Sequence, residues 1–270
     1  MSHHASNQVL NKEEEFHDDW ANSVRAEEVM VDQFFEACTA PENRFIIKSL
    51  GDLRGKKVVE LGCGLGEAAV YFAKQGAEVV ATDISKGMCN LVERVAAKHG
   101  VVLTTAQAYS HAMPFPDATF DVVYAANLLH HVDIEQTLLE AKRILKPGGV
   151  FVSWDPLAHN PIINVYRRMA MGVRTEDEHP LKMKELAIFK KHFQNVTVAT
   201  FWLTALAIFL KFYFIDRVNP NTERYWKKIL TEHQRLEKTY NFFAKIDQTI
   251  LKFLPFMKRY CWNVVVVATK

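Results

Sequence analysis

Cysteine is scarce in this chain, and none of it is paired in a motif. Cys38, Cys63, Cys89 and Cys261 are scattered and form no Cys-x-x-Cys. That excludes a zinc cage of the usual spacing and points to a reduced, intracellular (cytoplasmic) protein. An apolar N-terminal stretch is also missing. Glu13, Glu14 and Glu15 stand where a secretion signal would need one, so no such signal is expected. Long hydrophobic runs are few. Residues 195–210 (NVTVATFWLTALAIFL) carry no charge. As a helix they would reach only about 24 Å, short of the ~30 Å hydrocarbon core. A transmembrane helix is therefore not expected. Internal repeats and low-complexity tracts are absent too.

What is present is an ordinary globular composition. The 270 residues are 49% hydrophobic and 24% charged, enough for one large α/β domain or a domain with a sizeable insertion. The net charge of +2 hides an asymmetry. Residues 160–270 hold 19 Lys and Arg against 9 Asp and Glu, whereas residues 1–159 hold 14 against 22. Either the C-terminal part meets something anionic, or long basic side chains solubilise amphipathic helices there.

The first fifty residues have apolar positions at helical spacing, as at Val31, Phe34 and Phe35. A strand–helix alternation follows. Strands are predicted at 57–61, 78–83, 101–106, 120–125 and 150–153, with helices at 67–75, 86–99 and 134–145. The run Lys146-Pro147-Gly148-Gly149 reads as a helix stop. Further strands are predicted at 196–201 and 262–269, with a mostly helical stretch, 202–260, between them. This pattern predicts a doubly wound, mostly parallel α/β sheet. The expected organisation is an N-terminal helical cap (1–54), an α/β core (55–201), a helical insertion (202–260) and a last core strand (261–270).

Residues 58–67 read VVELGCGLGE, placing Gly62, Gly64 and Gly66 after a β-branched run. The spacing is GxGxG rather than the GxGxxG of dinucleotide sites. Glycine there lets the loop approach a ligand at Gly62 and Gly64, and permits tight helix–strand packing at Gly66. Asp83 lies 21 residues beyond Gly62, at a strand end, where an acid can accept both ribose hydroxyls of an adenosine. Glu60 and Glu67 would repel a diphosphate. A cationic ligand without phosphate fits better, and S-adenosylmethionine is such a ligand.

ELGCGLGE (60–67), ATDIS (81–85), AMPFPDATFDVV (112–123), LLHHV (128–132) and RILKPGG (143–149) stand in an order and spacing that resemble class I S-adenosylmethionine-dependent methyltransferases. The resemblance covers roughly residues 55–155. It implies a Rossmann-like seven-stranded sheet whose last strand is antiparallel. It also implies that Glu60, Gly62, Cys63 and Gly64 surround the methionine moiety, with Asn127 beside it. Asp83 would bind the ribose, and Ile84 and Met88 would lie against the adenine. Tyr109 and Ser110 occupy the place of an acid–small pair that reads the adenine edge. Tyr109 departs from that pattern, so backbone, stacking or His111 contacts must substitute. His17 and Trp20 lie on an N-terminal segment that often closes over the cofactor in this family.

Methyl transfer to a hydroxyl needs a positioned base. His130 and His131 follow the fourth strand, and Asp155 ends the fifth, where it could orient an imidazole. Sugar O-methyltransferases of the family have a similar arrangement. The alternative is that LHHV is a structural loop. The acidic stretch 174–181 (RTEDEHPL) is not read as a metal site, since consecutive acids on a loop do not converge; Arg174 or His179 fits a substrate pocket better. Aromatic and basic residues alternate at Lys211, Phe212, Tyr213, Phe214, Tyr225, Trp226, Lys227, Lys228, Phe253, Leu254, Phe256, Lys258 and Arg259. They suit either a helical cap or the headgroup region of a bilayer. The expected function is O-methylation of a small-molecule or lipid-like acceptor. N- or C-methylation, a non-catalytic adenosine-binding scaffold and a nicotinamide oxidoreductase are the competing classes. A nucleic-acid substrate is not expected, because residues 125–131 read AANLLHH instead of an Asn/Asp-Pro-Pro-aromatic turn. Oligomeric state is left open, a homodimer included.

Overall fold

The computed structural model describes residues 3–169 and 179–270. Helices α1 (His3–Ser23), α2 (Val31–Glu36) and α3 (Pro41–Leu50) lead into β1 (Lys57–Leu61), α4 (Glu67–Lys74), β2 (Glu78–Asp83), α5 (Lys86–Lys98) and β3 (Thr104–Gln107). Then follow β4 (Phe120–Ala126), α6 (Ile134–Ile144), β5 (Leu145–Pro156), α7 (Pro161–Met169), α8 (Leu186–His192) and β6 (Gln194–Phe201). Helices α9 (Ala207–Phe214), α10 (Tyr225–Thr231) and α11 (His233–Phe253) precede β7 (Asn263–Thr269).

The seven strands lie in the order β3-β2-β1-β4-β5-β7-β6. β7 is antiparallel to both of its neighbours, and the other pairs are parallel. β1 is buried from Val58 to Leu61, Glu60 included, as expected of a strand covered on both faces. The order reverses between β1 and β4, and at such a switch point the sheet leaves a crevice beyond the strands' carboxyl ends. Helix starts are set by side-chain caps. Ser85 Oγ accepts from Met88 N at 2.9 Å, and Asp133 Oδ1 accepts from Gln136 N at 2.9 Å.

Two strands depart from the sequence-based expectation. β3 begins at Thr104, not at 101. Val101 instead closes the end of α5: its N–H donates to Ala96 O across Gly100, which adopts φ +66°. β5 is far longer than 150–153: helix α6 does end before Lys146–Gly149, at Ile144, but the strand already begins at Leu145. Leu145 already pairs with Phe120, the register shifts, and pairing resumes at Val150 with Val122. At the other end Trp154, Asp155 and Pro156 remain in the sheet by pairing with Val265, Val264 and Asn263 of β7.

The insertion folds against the core through its own aromatic cluster. Trp202, Phe209, Phe212, Tyr225 and Tyr240 are buried there with Ala37, Ala40 and Ile163. Phe212, Tyr225 and Trp226 therefore face inward, and Tyr213, Phe214, Phe253, Leu254 and Phe256 are left exposed. The chain enters the insertion through a turn held by one carboxylate. Asp247 on α11 accepts from Leu203 N at 3.0 Å, Thr204 N at 2.7 Å and Thr204 Oγ1 at 2.5 Å. Asp247→Ala strands these buried donors, and chemical denaturation should show a loss of about 2 kcal/mol or more. Asp247→Asn, which keeps an acceptor, should recover part of it.

Candidate active site

A cavity of about 410 Å³ opens at the carboxyl ends of β1, β4 and β5. Its floor is the loop after β1. Gly64 has φ +48° and no heavy atom within 4 Å of where a Cβ would sit, so it leaves the space above the loop open. The other two glycines serve packing. A Cβ on Gly62 would meet Leu128 Cδ1 at 2.9 Å, and one on Gly66, at φ +86°, would meet Val92 Cγ2 at 2.7 Å. Gly62, read from the sequence as a ligand-approach position, does line the cavity. Gly66 lets α4 approach α5, not a strand, and stays off the cavity lining, as does the fully buried Met88.

Asp83 lies in the same wall. Its Oδ2 accepts from Gly64 N and its Oδ1 from Ser85 N, both at 3.0 Å. Burial pushes this carboxyl up, and these N–H groups and the nearby His17 oppose the rise. Ile84, Tyr109, Ser110 and His111 continue the lining. Ser110 Oγ lies 3.1 Å from Thr137 Oγ1, and the Tyr109 and His111 rings are 5.8 Å apart. Asn127 adopts φ +51° and donates its N–H to Trp154 O at 2.8 Å, which turns the chain sharply out of β4.

Helix α1 covers this region. Asp18 Oδ1 accepts from Ser85 Oγ at 2.5 Å and from Gly87 N at 2.8 Å. A Cβ on Gly87 would stand 2.8 Å from that oxygen, so glycine there makes the approach sterically feasible. Glu14 Oε1 accepts from Gln107 Nε2 at 2.9 Å. His17, Trp20, Phe16 and Glu13 all reach the cavity.

The two adjacent histidines have different surroundings. His130 is buried, and its Nδ1 is 2.9 Å from Asp155 Oδ1. Burial pushes the Asp155 carboxyl well up, opposed by the backbone N–H groups of His130, Leu129 and Leu128. His131 stacks on His130 with ring centroids 4.2 Å apart. Its Nδ1 lies 3.9 Å from Glu13 Oε1 on α1, and Glu13 Oε2 lies 3.5 Å from His17 Nε2. His179 donates its N–H to His130 O at 3.0 Å, whereas Arg174 and the acids at 176–178 fall outside the described residues. Among the described residues no cluster of three or more metal-binding side chains forms.

Acids are concentrated at the loop end. Burial, and then Glu67, push the Glu60 carboxyl well up; Glu60 Oε2 is buried without a hydrogen-bond partner among the described residues. Burial raises Glu67 to about 7. The Tyr124 hydroxyl accepts from Trp154 Nε1 at 3.1 Å beside them. The sequence-based site omitted Phe34, Trp154, Tyr166, Arg224 and Trp262, and it placed Trp226 among bilayer-facing residues; all six line the cavity. Five of the six are aromatic and Arg224 is basic, and residue type alone does not say which way they point.

Fold and site together define a doubly wound domain with a cavity at its switch point. Residues 59–153 match the family model described as a methyltransferase domain. A sterol 24-C-methyltransferase of Gibberella zeae is 32% identical over 136 residues, 49% of this chain and 36% of that protein. A ubiquinone biosynthesis O-methyltransferase of Aliivibrio fischeri is 37% identical over 113 residues, 40% of this chain and 48% of that protein. The matched segments thus span less than half the length of these relatives. The structure of phosphoethanolamine N-methyltransferase 2 from Haemonchus contortus, in complex with S-adenosyl-L-methionine, superposes with a TM-score of 0.58 at 20% identity, over 85% of this chain and 52% of that one. Residues 59–153 thus carry a methyltransferase domain similar to the matched segments of these relatives.

Next to the cavity, buried Glu42 accepts from Asn263 Nδ2 at 2.6 Å, and burial raises its carboxyl to about 7. A carboxyl raised on folding holds its proton more tightly in the native state. Stability therefore falls as pH rises from about 4.5 to about 7. Glu42→Gln should flatten that fall, raising stability at pH 8 relative to pH 5 by up to about 3 kcal/mol in denaturant titrations.

Proposed function

We propose that this chain transfers a methyl group from S-adenosylmethionine to a hydroxyl of a small or amphiphilic acceptor, with His130 as the base. The observation that carries this reading is the buried His130–Asp155 contact of 2.9 Å on the wall of the cavity that also holds the glycine loop and Asp83.

The residues present suit such a cofactor. Gly64 leaves open space, and Glu60 keeps a buried acceptor atom with no partner among the described residues. An ammonium group is the natural complement of that atom. Asp83 would take the ribose, and Ile84, Tyr109 and Ser110 the adenine side. Glu60, Gly62, Cys63, Gly64 and Asn127 would take the methionine side, with His17 above from α1. When bound, S-adenosylmethionine supplies a methyl group already activated by its sulfonium charge.

The remaining chemistry belongs to the protein. Asp155, aligned by the backbone after β4, engages His130 Nδ1 and so presents Nε2 as the atom that accepts the hydroxyl proton. The imidazolium formed is stabilised by the same carboxylate. His131 packs between His130 and the Glu13 carboxylate of α1, which suits a role in seating the helix. Tryptophan and tyrosine walls exclude water from the reacting groups. The relatives methylate carbon in one case and oxygen in another by name, so the choice of oxygen rests on the histidine–aspartate pair.

S-adenosylhomocysteine formation with panels of phenols, sugars, amines and lipid extracts tests the reading. His130→Ala should lower turnover by about 10²- to 10⁴-fold and leave S-adenosylhomocysteine affinity within twofold by calorimetry. Full turnover in that variant, or methylation of a carbon or amine acceptor only, removes His130 from this role. Absence of product with every acceptor favours a non-catalytic binding protein.

The insertion supports a second reading, reversible contact of a cytoplasmic protein with an anionic bilayer. Phe253 and Phe256 are 71% and 64% exposed, Leu254 lies between them, and Lys252, Lys258 and Arg259 adjoin. No described helix is long and apolar enough to cross a membrane. Each basic group near such a surface contributes about 1 kcal/mol. Sedimentation with phosphatidylserine vesicles should fade at high salt and in a Phe253→Ser, Phe256→Ser variant. Equal binding to neutral vesicles, or none, removes this contact.

A further inference from the structure

Arg224, just before α10, is the cavity residue whose charge is least explained by its surroundings. Its guanidinium lies over the Trp20 ring of α1, 4.8 Å from the centroid. Burial pulls its pKa below the usual arginine range, and among the described residues the electrostatic influence that opposes this is Tyr166. No carboxylate pairs with it among the described residues. Its neighbour Glu223 is committed to Lys228 at 3.1 Å. The other basic residues of the insertion mostly sit at the surface; Lys211 and Arg235, for example, share Asp216.

A partly desolvated cation without a counter-charge is unfavourable unless a ligand supplies one. Arginine suits that task, because its planar fork presents two parallel donors to a carboxylate or phosphate. The wall around it is aromatic, with Trp20, Tyr166, Trp226 and Trp262 on four separate segments. Flat walls beside a guanidinium define a pocket for a flat apolar body bearing an anionic group.

We propose that Arg224 is the anion-binding residue of the acceptor subsite, and that the acceptor carries a carboxylate or phosphate on an aromatic or other flat apolar body. This deepens the methyltransferase reading and rests on it for the word acceptor. Trp20 belongs to both the lid and the guanidinium stack, so the anion would be held directly beneath α1. The net positive charge of residues 160–270 would draw such molecules towards this end of the cavity.

Quenching of the cavity tryptophans provides the test, at 0.15 M salt with and without saturating S-adenosylhomocysteine. The probes are phenyl phosphate and 4-hydroxybenzoate, which separate phosphate from carboxylate, with phenol as the neutral control and tyramine as the cationic one. Either anion should bind at least tenfold more tightly than phenol and tyramine. Arg224→Gln should abolish that preference, Arg224→Lys should keep part of it, and neither should change S-adenosylhomocysteine affinity more than twofold. Equal binding of phenol and both anions overturns the proposal. So does an Arg224→Gln variant that keeps the anion preference, or one that loses S-adenosylhomocysteine instead, which would assign the guanidinium to the cofactor's carboxylate. Failure of S-adenosylhomocysteine to bind the unaltered protein overturns the methyltransferase reading, and the anion preference measured without it still decides the role of Arg224.

Discussion

The pairing of β5 with antiparallel β7 is the constraint on which the site depends. It carries β5 on to Pro156, past the point at which its parallel pairing with β4 ends at Trp154. Two residues gained in this way, Asp155 and Pro156, reach the cavity region together with Trp154 on the same strand. The partner strand delivers Asn263, and Trp262 just before it, to the same place. Without this ladder Asp155 would have no fixed distance to His130. The cost is that the carboxylate lies fully buried, and backbone N–H groups after β4 offset that cost.

Buried carboxyls recur around the cavity: Glu42, Glu60, Glu67, Asp83 and Asp155 are all held above their ordinary range, chiefly by burial. Backbone N–H groups oppose the rise at each of them. Glu60 keeps an oxygen without a partner among the described residues, which marks the place where the fold alone leaves polar chemistry incomplete. An acidic loop end and an arginine near α10 give the cavity opposite charges in different parts, so a bound molecule would be oriented before any chemistry occurs.

Much of the frame was legible in the sequence. β1 and β2 have the bounds that their β-branched runs suggested, because strands buried on both faces concentrate such residues over a short stretch. The last strand was likewise readable in WNVVVVAT, and its antiparallel direction followed from the family resemblance. Of the site, the residues in local motifs could be named: the glycine loop, Asp83 and the histidines. Gly66 and Met88 were named with the cofactor-binding set yet do not line the cavity, since spacing does not distinguish a glycine facing a cavity from one facing Val92. β5 was cut short because Lys-Pro-Gly-Gly reads as a stop, whereas a register shift absorbs it. Trp154, Arg224, Trp226 and Trp262 come from distant segments, and only packing turns them to one space. The membrane-facing set was partly misread for the same reason: Phe212 and Tyr225 belong to the insertion's core.

The clasp between Asp18 and the start of α5 has a kinetic consequence. α1 crosses the mouth of the cavity, and its hold on Ser85 and Gly87 sits two to four residues from Asp83. On the methyltransferase reading, a molecule seated on Asp83 would lie beneath that clasp, so its exchange would be eased by the parting of two hydrogen bonds, and the stability of the clasp would then bear on the rate of turnover.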